Sequence, residues 1–461
     1  MFTLDDVLAG TEGSLVGGHA SGIFRSVRID SRAVEPGDLF VAFRGARADG
    51  HDFVEAAFAN HAGGALVDTL LLDRPWSSPD WSGPPVVLCD QTGRGLADMA
   101  RYWRRRHGAT VVGITGSVGK TSTKEAVSSL LSQSLSVLRT RANYNTEIGL
   151  PMSLMELEPH HRIAVLELGM QAIGEIRLLA RICEPNIGLV TNVHPSHLER
   201  LGSMEQIAQA KSELVRELPD SGMVILNADD DRVASMASLA RCEVMTFGTR
   251  ASADLRAVDI RSLGLGGVEF EVQFRGDCGH ARMQTIGIHT VYSGLAAIAV
   301  GLRVGIALQN LVAGLARVEP GPRLVPRQGP NNSTLLDDTY NASPPSVAAA
   351  LSVLAEAQGR RIAVLGDMLE LGPLEASAHA DVGRQAAAAA DWLLTIGPRA
   401  QAIGAAAIDA GMEPTSVDIC QSNVEVLARL RNRLRPGDTV LLKGSRAMRL
   451  EEVVSGLCLT R

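Results

Sequence analysis

Lysine is nearly absent from this chain. Of its 44 basic residues only Lys120, Lys124, Lys211 and Lys443 are lysines, and the rest are arginines. A compositional bias that turns surface lysine into arginine accounts for the scarcity. It also marks the four that remain, because some tasks reject a guanidinium. A compact ammonium fits under a phosphate, and an amine can shed its proton or be modified. Aromatics are sparse, at 4%. The six cysteines (Cys89, Cys183, Cys242, Cys278, Cys420, Cys458) show no C-x-x-C spacing and read as reduced, mostly buried thiols of a cytosolic protein. The net charge of −7 lacks the basic footprint of a nucleic-acid protein. The start, MFTLDDVLAG, is acidic and amphipathic, with neither the basic region nor the apolar core of a signal peptide. No apolar run reaches the roughly 18 residues of a spanning helix. These absences predict a cytoplasmic protein with no membrane span and no nucleic-acid partner.

Apolar residues make up 46% of the sequence and support large cores. The length of 461 residues suggests about three domains of roughly 150 residues each. Val111 to Glu125, VVGITGSVGKTSTKE, organises the rest. An apolar strand (Val111, Val112, Ile114) runs into a glycine turn (Gly116, Gly119), and Lys120-Thr121-Ser122 opens a helix. Glycines let backbone N–H groups converge on an anion, the helix N-terminus adds positive dipole, Lys120 adds a charge, and Thr121 can hold Mg²⁺. The general phosphate-loop pattern places a glycine where Ile114 stands, so what survives is the shorter G-x-x-G-K-T.

Three units are expected: residues 1–85, 86–318 and 319–461. The first is a small α/β unit with strands at Phe24–Ile29, Leu39–Phe43 and Gly64–Val67 and a helix from His51 to His61. Asp30-Ser31-Arg32 sits after its first strand, either as loop residues capping the strand or as groups facing a polar ligand. A loop dense in Pro, Ser and Trp, Asp73–Pro85, marks the boundary. In the second unit a helix over Gly93–His107 ends in Arg101, Arg104, Arg105 and Arg106, which read as a solvated face complementing the helix dipole. Arg139–Gly149 reads as a polar loop. Strands at Ile163–Glu167, Ile187–Thr191 and Met223–Leu226 alternate with helices, so the sheet is mostly parallel. In such sheets ligands sit at the carboxyl ends of strands, where Gly116, Glu167, His197 and Asn227 all fall. Alternation at Val268, Phe270, Val272 and Phe274 predicts an antiparallel addition before an Ala-rich helix over about 291–302. Glu319-Pro320-Gly321-Pro322 breaks the chain, and a second α/β series follows.

Glu167 and the Thr121 hydroxyl are hard donors suited to one Mg²⁺ with substrate oxygens. His197 fits both a ligand and a structural role, and His194 reads as structural. Lys211, on a helix over Met204–Leu218, reads either as solvated or as one of the reserved lysines. Asp337-Asp338, Gly366-Asp367 and Lys443 to Arg446 end strands of the last unit and converge on one edge.

Together, DSRAVEPGDLFVAFRGARADGHDF, TGSVGKTSTKE, NYNTEIGLP, ELGM, TNVHPSHLERLGSMEQIAQAKSEL, LDDTYNASP, LGDMLELG and KGSRAMRLEEVV resemble the Mur ligases of peptidoglycan synthesis along nearly the whole chain. TGSVGKTS fits that family's own phosphate loop, which accounts for the missing glycine. The resemblance implies an α/β protein of three domains: a small N-terminal α/β UDP-binding domain, a central P-loop domain with a mostly parallel sheet, and a C-terminal Rossmann-like domain that closes over the site. LGDMLELG with the DSR segment favours the member that adds a dipeptide. ATP would then phosphorylate the terminal carboxylate of a UDP-N-acetylmuramoyl-tripeptide, and the amine of D-Ala-D-Ala would attack the acyl phosphate.

Carried over by position, Thr115, Gly116, Ser117, Val118, Gly119, Lys120, Thr121 and Ser122 would hold ATP, with Arg323 near the phosphates and Asp338 on the ribose. Thr121, Glu167, His197 and Lys211 would serve two Mg²⁺ ions, Lys211 as a carbamate, which only an amine can form. Lys120, His197 and Lys211 would be the catalytic set, and Ser31 and Arg32 would meet the uridine nucleotide. A monomer is expected. The chain departs from the family at His289-Thr290-Val291-Tyr292-Ser293, where two asparagines are usual, and at His194, Thr339 and Ser343. The remaining readings are another amide ligase of the superfamily, taking a single amino acid or a folate, and a nucleotide-binding scaffold without turnover.

Overall fold

Strand Thr110–Thr115 is an apolar run buried on both faces, and parallel pairing to Ile163–Glu167 on one side and Ile187–Val190 on the other makes it the centre of a sheet. The computed structural model describes residues 1–45, 47–69, 71, 73–78, 80–140 and 144–458. Ala46 of the DSR stretch, Pro79 of the boundary loop and Arg141, Ala142 and Asn143 of the polar loop lie outside them. Among the described residues the central sheet has nine strands. From one edge they are Val137–Arg139, Ile163–Glu167, Thr110–Thr115, Ile187–Val190, Met223–Asn227, Glu243–Gly248, Leu255–Ser262, Val268–Phe274 and Asp277–Met283. Pairing is parallel as far as Leu255–Ser262, and the last two strands are added antiparallel, as their alternation predicts.

Successive side chains of a strand face opposite layers. Val111 joins a core with Leu179 and Leu214 from the helices Glu175–Cys183 and Met204–Glu217. Val112 and Ile114 join the other, with Val127 of the P-loop helix Lys120–Leu131 and Leu295 of Val291–Arg303. Each such side chain, fully buried, contributes about 1.5–3 kcal/mol.

The N-terminal sheet runs Ser14–Gly17, Val86–Leu88, Gly64–Val67, Leu39–Val41 and Val27–Arg28. Val86–Leu88 pairs within it, so a boundary drawn at residue 85 cuts this sheet. The chain start folds as a helix, Leu4–Thr11, because Thr3 and Asp6 form a reciprocal cap. Of the arginines at the end of helix Thr92–Arg106, Arg105 and Arg106 are exposed, as expected, and Arg101 and Arg104 are half-buried, but all four have partners. Arg101 and Arg105 grip Glu184, Arg104 donates to the Cys183 carbonyl and to Asn186, and Arg106 pairs with Asp6. Of these contacts, the Arg106–Asp6 pair ties the N-terminal unit to the central one.

In the last unit, strands Thr334–Asp338, Thr439–Lys443, Arg361–Gly366, Trp392–Ile396 and Val417–Cys420 are parallel, with Val325–Gln328 antiparallel at one edge. Helices on both faces complete the doubly wound layer.

Candidate functional site

Parallel register brings the carboxyl ends of the central strands to one edge. There the phosphate loop, Gly116 to Gly119, is held open by its neighbours. Asn192 accepts from Val118 N–H at 2.8 Å through its side chain and from Ser117 N–H at 3.0 Å through its carbonyl. Ser117 Oγ donates to the His194 carbonyl at 2.8 Å and accepts from His194 N–H at 2.9 Å. Asn227, one strand further, holds the Thr191 carbonyl at 2.8 Å. Thr115 is fully buried beneath the loop, with its hydroxyl on the Leu168 carbonyl.

Lys120 folds back over this loop, donating to the carbonyls of Gly116 at 2.8 Å and Ser117 at 3.3 Å. Desolvation lowers its pKa, Glu167 opposes that, and Arg323 adds to it. Thr121 Oγ1 donates to Glu167 Oε2 at 2.9 Å, and Asn145 Nδ2 donates to Glu167 Oε1, also at 2.9 Å. The carboxylate is thus fixed against the first turn of the P-loop helix.

Lys124 supports it from below. Its buried ammonium donates to the Thr140 carbonyl at 2.8 Å, while Thr140 Oγ1 accepts from Glu167 N–H at 3.1 Å. Neither Asn145 nor the Lys124–Thr140 support is legible as a site feature from spacing alone, although Asn145 lies in the NYNTEIGLP stretch.

Lys211 is 1% exposed, and among the described residues it has no hydrogen-bond or ion-pair partner. Burial, with the charge of Lys120 nearby, holds its pKa well below the usual lysine range. The same amine acts on both His194 and His197, whose imidazoles are held below their usual values chiefly by desolvation. Lys120, Lys211, His194 and His197 therefore form one electrostatic neighbourhood. His197 Nδ1 lies 2.5 Å from Glu370 Oε2, a carboxylate of the C-terminal unit that sequence reasoning passed over inside LGDMLELG. The two are far apart in the chain, so no local pattern signals the contact.

From the C-terminal unit, Arg323 stacks over the Tyr340 ring at 4.0 Å, and Arg446 lies at 5.7 Å from the same ring. Burial lowers the Arg323 pKa, with Asp338 opposing. Lys443 Nζ lies 2.5 Å from Asp338 Oδ2 and 2.9 Å from the Asn341 carbonyl. A cavity of about 1280 Å³ joins these groups, lined from the centre by Lys120, Thr121, Glu167 and His197 and from the last unit by Arg323 and Asp338. Ser117, Val118, Gly119 and Ser122 line it too. Thr115, Gly116 and Lys211 are not among its lining residues.

Ser31 and Arg32 lie apart from this cavity. Ser31 is 8% exposed at the start of a 3₁₀ turn capped by Asp30. Arg32 clamps the Asp30 carboxylate through two bonds, at 2.9 and 2.8 Å, and holds its pKa down at about 2. At the altered family position Thr290 donates to the Gly287 carbonyl, Ser293 meets Thr123 at 3.3 Å, and Tyr292 donates to Asp229 at 2.8 Å.

Among the described residues no group of three His, Cys, Asp or Glu side chains is arranged to hold a metal. The donor set that is present, one carboxylate beside one hydroxyl at the phosphate loop, fits Mg²⁺ bound mainly through substrate oxygens. A buried amine without a partner among the described residues, its pKa lowered by burial, fits carbamate formation at Lys211.

Three family models match the chain: Mur ligase family, catalytic domain, over residues 24–68; Mur ligase middle domain over 114–301; and Mur ligase, glutamate ligase domain, over 322–446. The UDP-N-acetylmuramoyl-tripeptide–D-alanyl-D-alanine ligase of Escherichia coli is 37% identical, covering 94% of this chain and 93% of that protein. Its counterpart in Synechocystis is 38% identical over 93% and 90%. A crystal structure of MurF from Acinetobacter baumannii superposes with a TM-score of 0.88 at 30% identity, covering 98% of both chains. MurF from Thermotoga maritima, in complex with ADP, gives 0.81 at 27% identity over 94% and 96%.

Proposed function

Since the chain belongs to the Mur ligase family, we propose a mechanism in which the described cavity activates a carboxylate for attack by an amine. The enzyme is a UDP-N-acetylmuramoyl-tripeptide–D-alanyl-D-alanine ligase of peptidoglycan synthesis, and it uses ATP. The observation that carries the mechanism is the Thr121–Glu167 pair beside Lys120, in a cavity that both the central and the C-terminal units line.

A carboxylate is a poor electrophile. Transfer of the γ-phosphoryl group of ATP to the terminal carboxylate of the tripeptide releases ADP and gives an acyl phosphate. The amine of D-Ala-D-Ala then attacks the acyl carbon, and phosphate leaves from the tetrahedral intermediate. Positioning and charge neutralisation supply most of the catalysis in such transfers. The N–H groups from Ser117 to Lys120 cradle the phosphates, Lys120 leaves its loop carbonyls for them, and Arg323 approaches from the other wall. Asp338 faces the ribose, with its second oxygen kept by Lys443. Thr121 and Glu167 would hold one Mg²⁺, and His197 and a carbamate on Lys211 would hold a second; such ions would supply charge neutralisation to phosphoryl transfer. Ser31 and Arg32 meet the uridine nucleotide in a separate place. The working units are three domains, with the first extended through Leu88.

Incubation with ATP, Mg²⁺, UDP-muramoyl-tripeptide and D-Ala-D-Ala should yield ADP and the pentapeptide in equal amounts. ATP binding without product at any Mg²⁺ concentration would overturn the reading in favour of a scaffold.

A further inference from the structure

The C-terminal unit meets the central unit at a seam beside the cavity, which His197 joins to the cavity wall. Glu199 N–H points to the Glu370 carbonyl at 3.4 Å, and Gly372 abuts the Glu199 backbone. At its centre Glu370 Oε2 lies 2.5 Å from His197 Nδ1. Both residues occupy the left-handed region, with φ of +55° at His197 and +65° at Glu370. Such strain in non-glycine residues collects at clamps and switch segments. The polar atoms at the seam are also unfinished. His197 Nδ1 is buried without an aligned hydrogen bond, and so is the neighbouring Ser196 Oγ. Buried polar atoms without partners are rare in native proteins, and each calls for a reason. At 2.5 Å the imidazole and the carboxylate need only a small rotation to form the bond.

We propose that Glu370 is a positioning residue for His197. When the C-terminal unit seats, its carboxylate accepts the Nδ1–H hydrogen bond, fixes the ring as that tautomer, and leaves the Nε2 lone pair for the cavity that His197 lines. An imidazole ligand whose other nitrogen is held by a carboxylate is oriented and made more basic. Here the carboxylate belongs to a different unit from the ring. The ligand is set only when the two units are together, which links assembly of the site to domain seating. The proposal rests on His197 being part of the phosphoryl-transfer site.

The test uses the full-length enzyme with ¹³Cε1-labelled histidine, the His197 signal being assigned by H197N, in the presence of a non-hydrolysable ATP analogue and the tripeptide substrate. The variants are E370A, E370G and E370Q. Glycine relieves the left-handed φ, so E370G folds at least as well as the parent. Glutamine keeps an acceptor oxygen. The parent should show the Nδ1–H tautomer of His197, E370A and E370G should lose it, and E370Q should keep it. In parallel, kcat should fall about tenfold or more in E370A and E370G, with KM for ATP within about twofold and E370Q nearer the parent. An unchanged His197 signal in E370G, or a kcat within about twofold of the parent, would overturn the proposal. Failure of the parent to make product would defeat the ligase mechanism instead, while the histidine signal would still report on Glu370.

Discussion

The four lysines occupy four different settings. Lys124 and Lys443 are buried, each against two oxygens, Lys120 lies over a tight loop, and Lys211 is a buried amine without a partner among the described residues. Scarcity in the sequence therefore pointed at four positions whose reasons differ. Lys211→Ala should reduce kcat by roughly a hundredfold or more, a loss typical of removing a group that stabilises transition-state charge. Short carboxylates such as acetate should restore part of it by occupying the vacated space. Full activity in the variant, with no response to carboxylate, would refute the carbamate. Lys443 makes a different prediction. Its partner Asp338 is 6% exposed, so Lys443→Ala strands a buried carboxylate and should destabilise the fold by about 3–5 kcal/mol. Urea unfolding measures this, and Lys443→Met with Asp338→Leu should recover most of the loss, because breaking a buried pair costs more than replacing it.

The phosphate loop shows what an element demands beyond its motif. Gly116 has a φ of +147°, and a Cβ there would lie 1.9 Å from Thr191 Oγ1. Gly119, with a φ of +83°, has open space around it. Gly119→Ala should therefore carry only the left-handed backbone penalty, about 1–2 kcal/mol. Gly116→Ala must also push apart the loop and the Thr191 strand end, and should abolish ATP binding. Thermal melts with nucleotide titration separate the two, and equal effects would contradict the described packing. The strands around this loop were legible because parallel strands buried on both faces read as continuous apolar runs. Ile163–Glu167 and Gly64–Val67 have the expected ends, and the antiparallel addition follows its alternation. Short elements were not legible. Val137–Arg139, at the sheet edge, was hidden at the start of a polar loop, and Val86–Leu88 read as the opening of the wrong unit, since three apolar residues do not say which sheet they join. Contacts such as His197–Glu370 depend on how two finished units meet, which no local periodicity encodes.

At the scale of the whole molecule, the cores decide which units depend on each other. Phe24, Leu39 and Val87 of the N-terminal unit share one continuous apolar cluster with Met99, Val111 and Leu214 of the central unit. The Arg106–Asp6 pair reinforces the join. The C-terminal unit keeps its own clusters, and in them the central unit places a buried Ile286. Its other ties to the centre include polar groups at the cavity, the Ser262–Glu356 hydrogen bond and the His197–Glu370 seam. Calorimetry without nucleotide should therefore show two transitions, the N-terminal and central units melting together and the C-terminal unit melting apart. ATP bound between Lys120 on one side and Arg323 and Asp338 on the other engages both. At a hundred times its Kd, a ligand that binds only the seated form adds about 2.7 kcal/mol. The C-terminal transition should then move up and merge with the other. If nucleotide raises the larger transition and leaves the C-terminal one in place, ATP is held by the phosphate loop alone, and the wall formed by Arg323 and Asp338 takes no part in binding it.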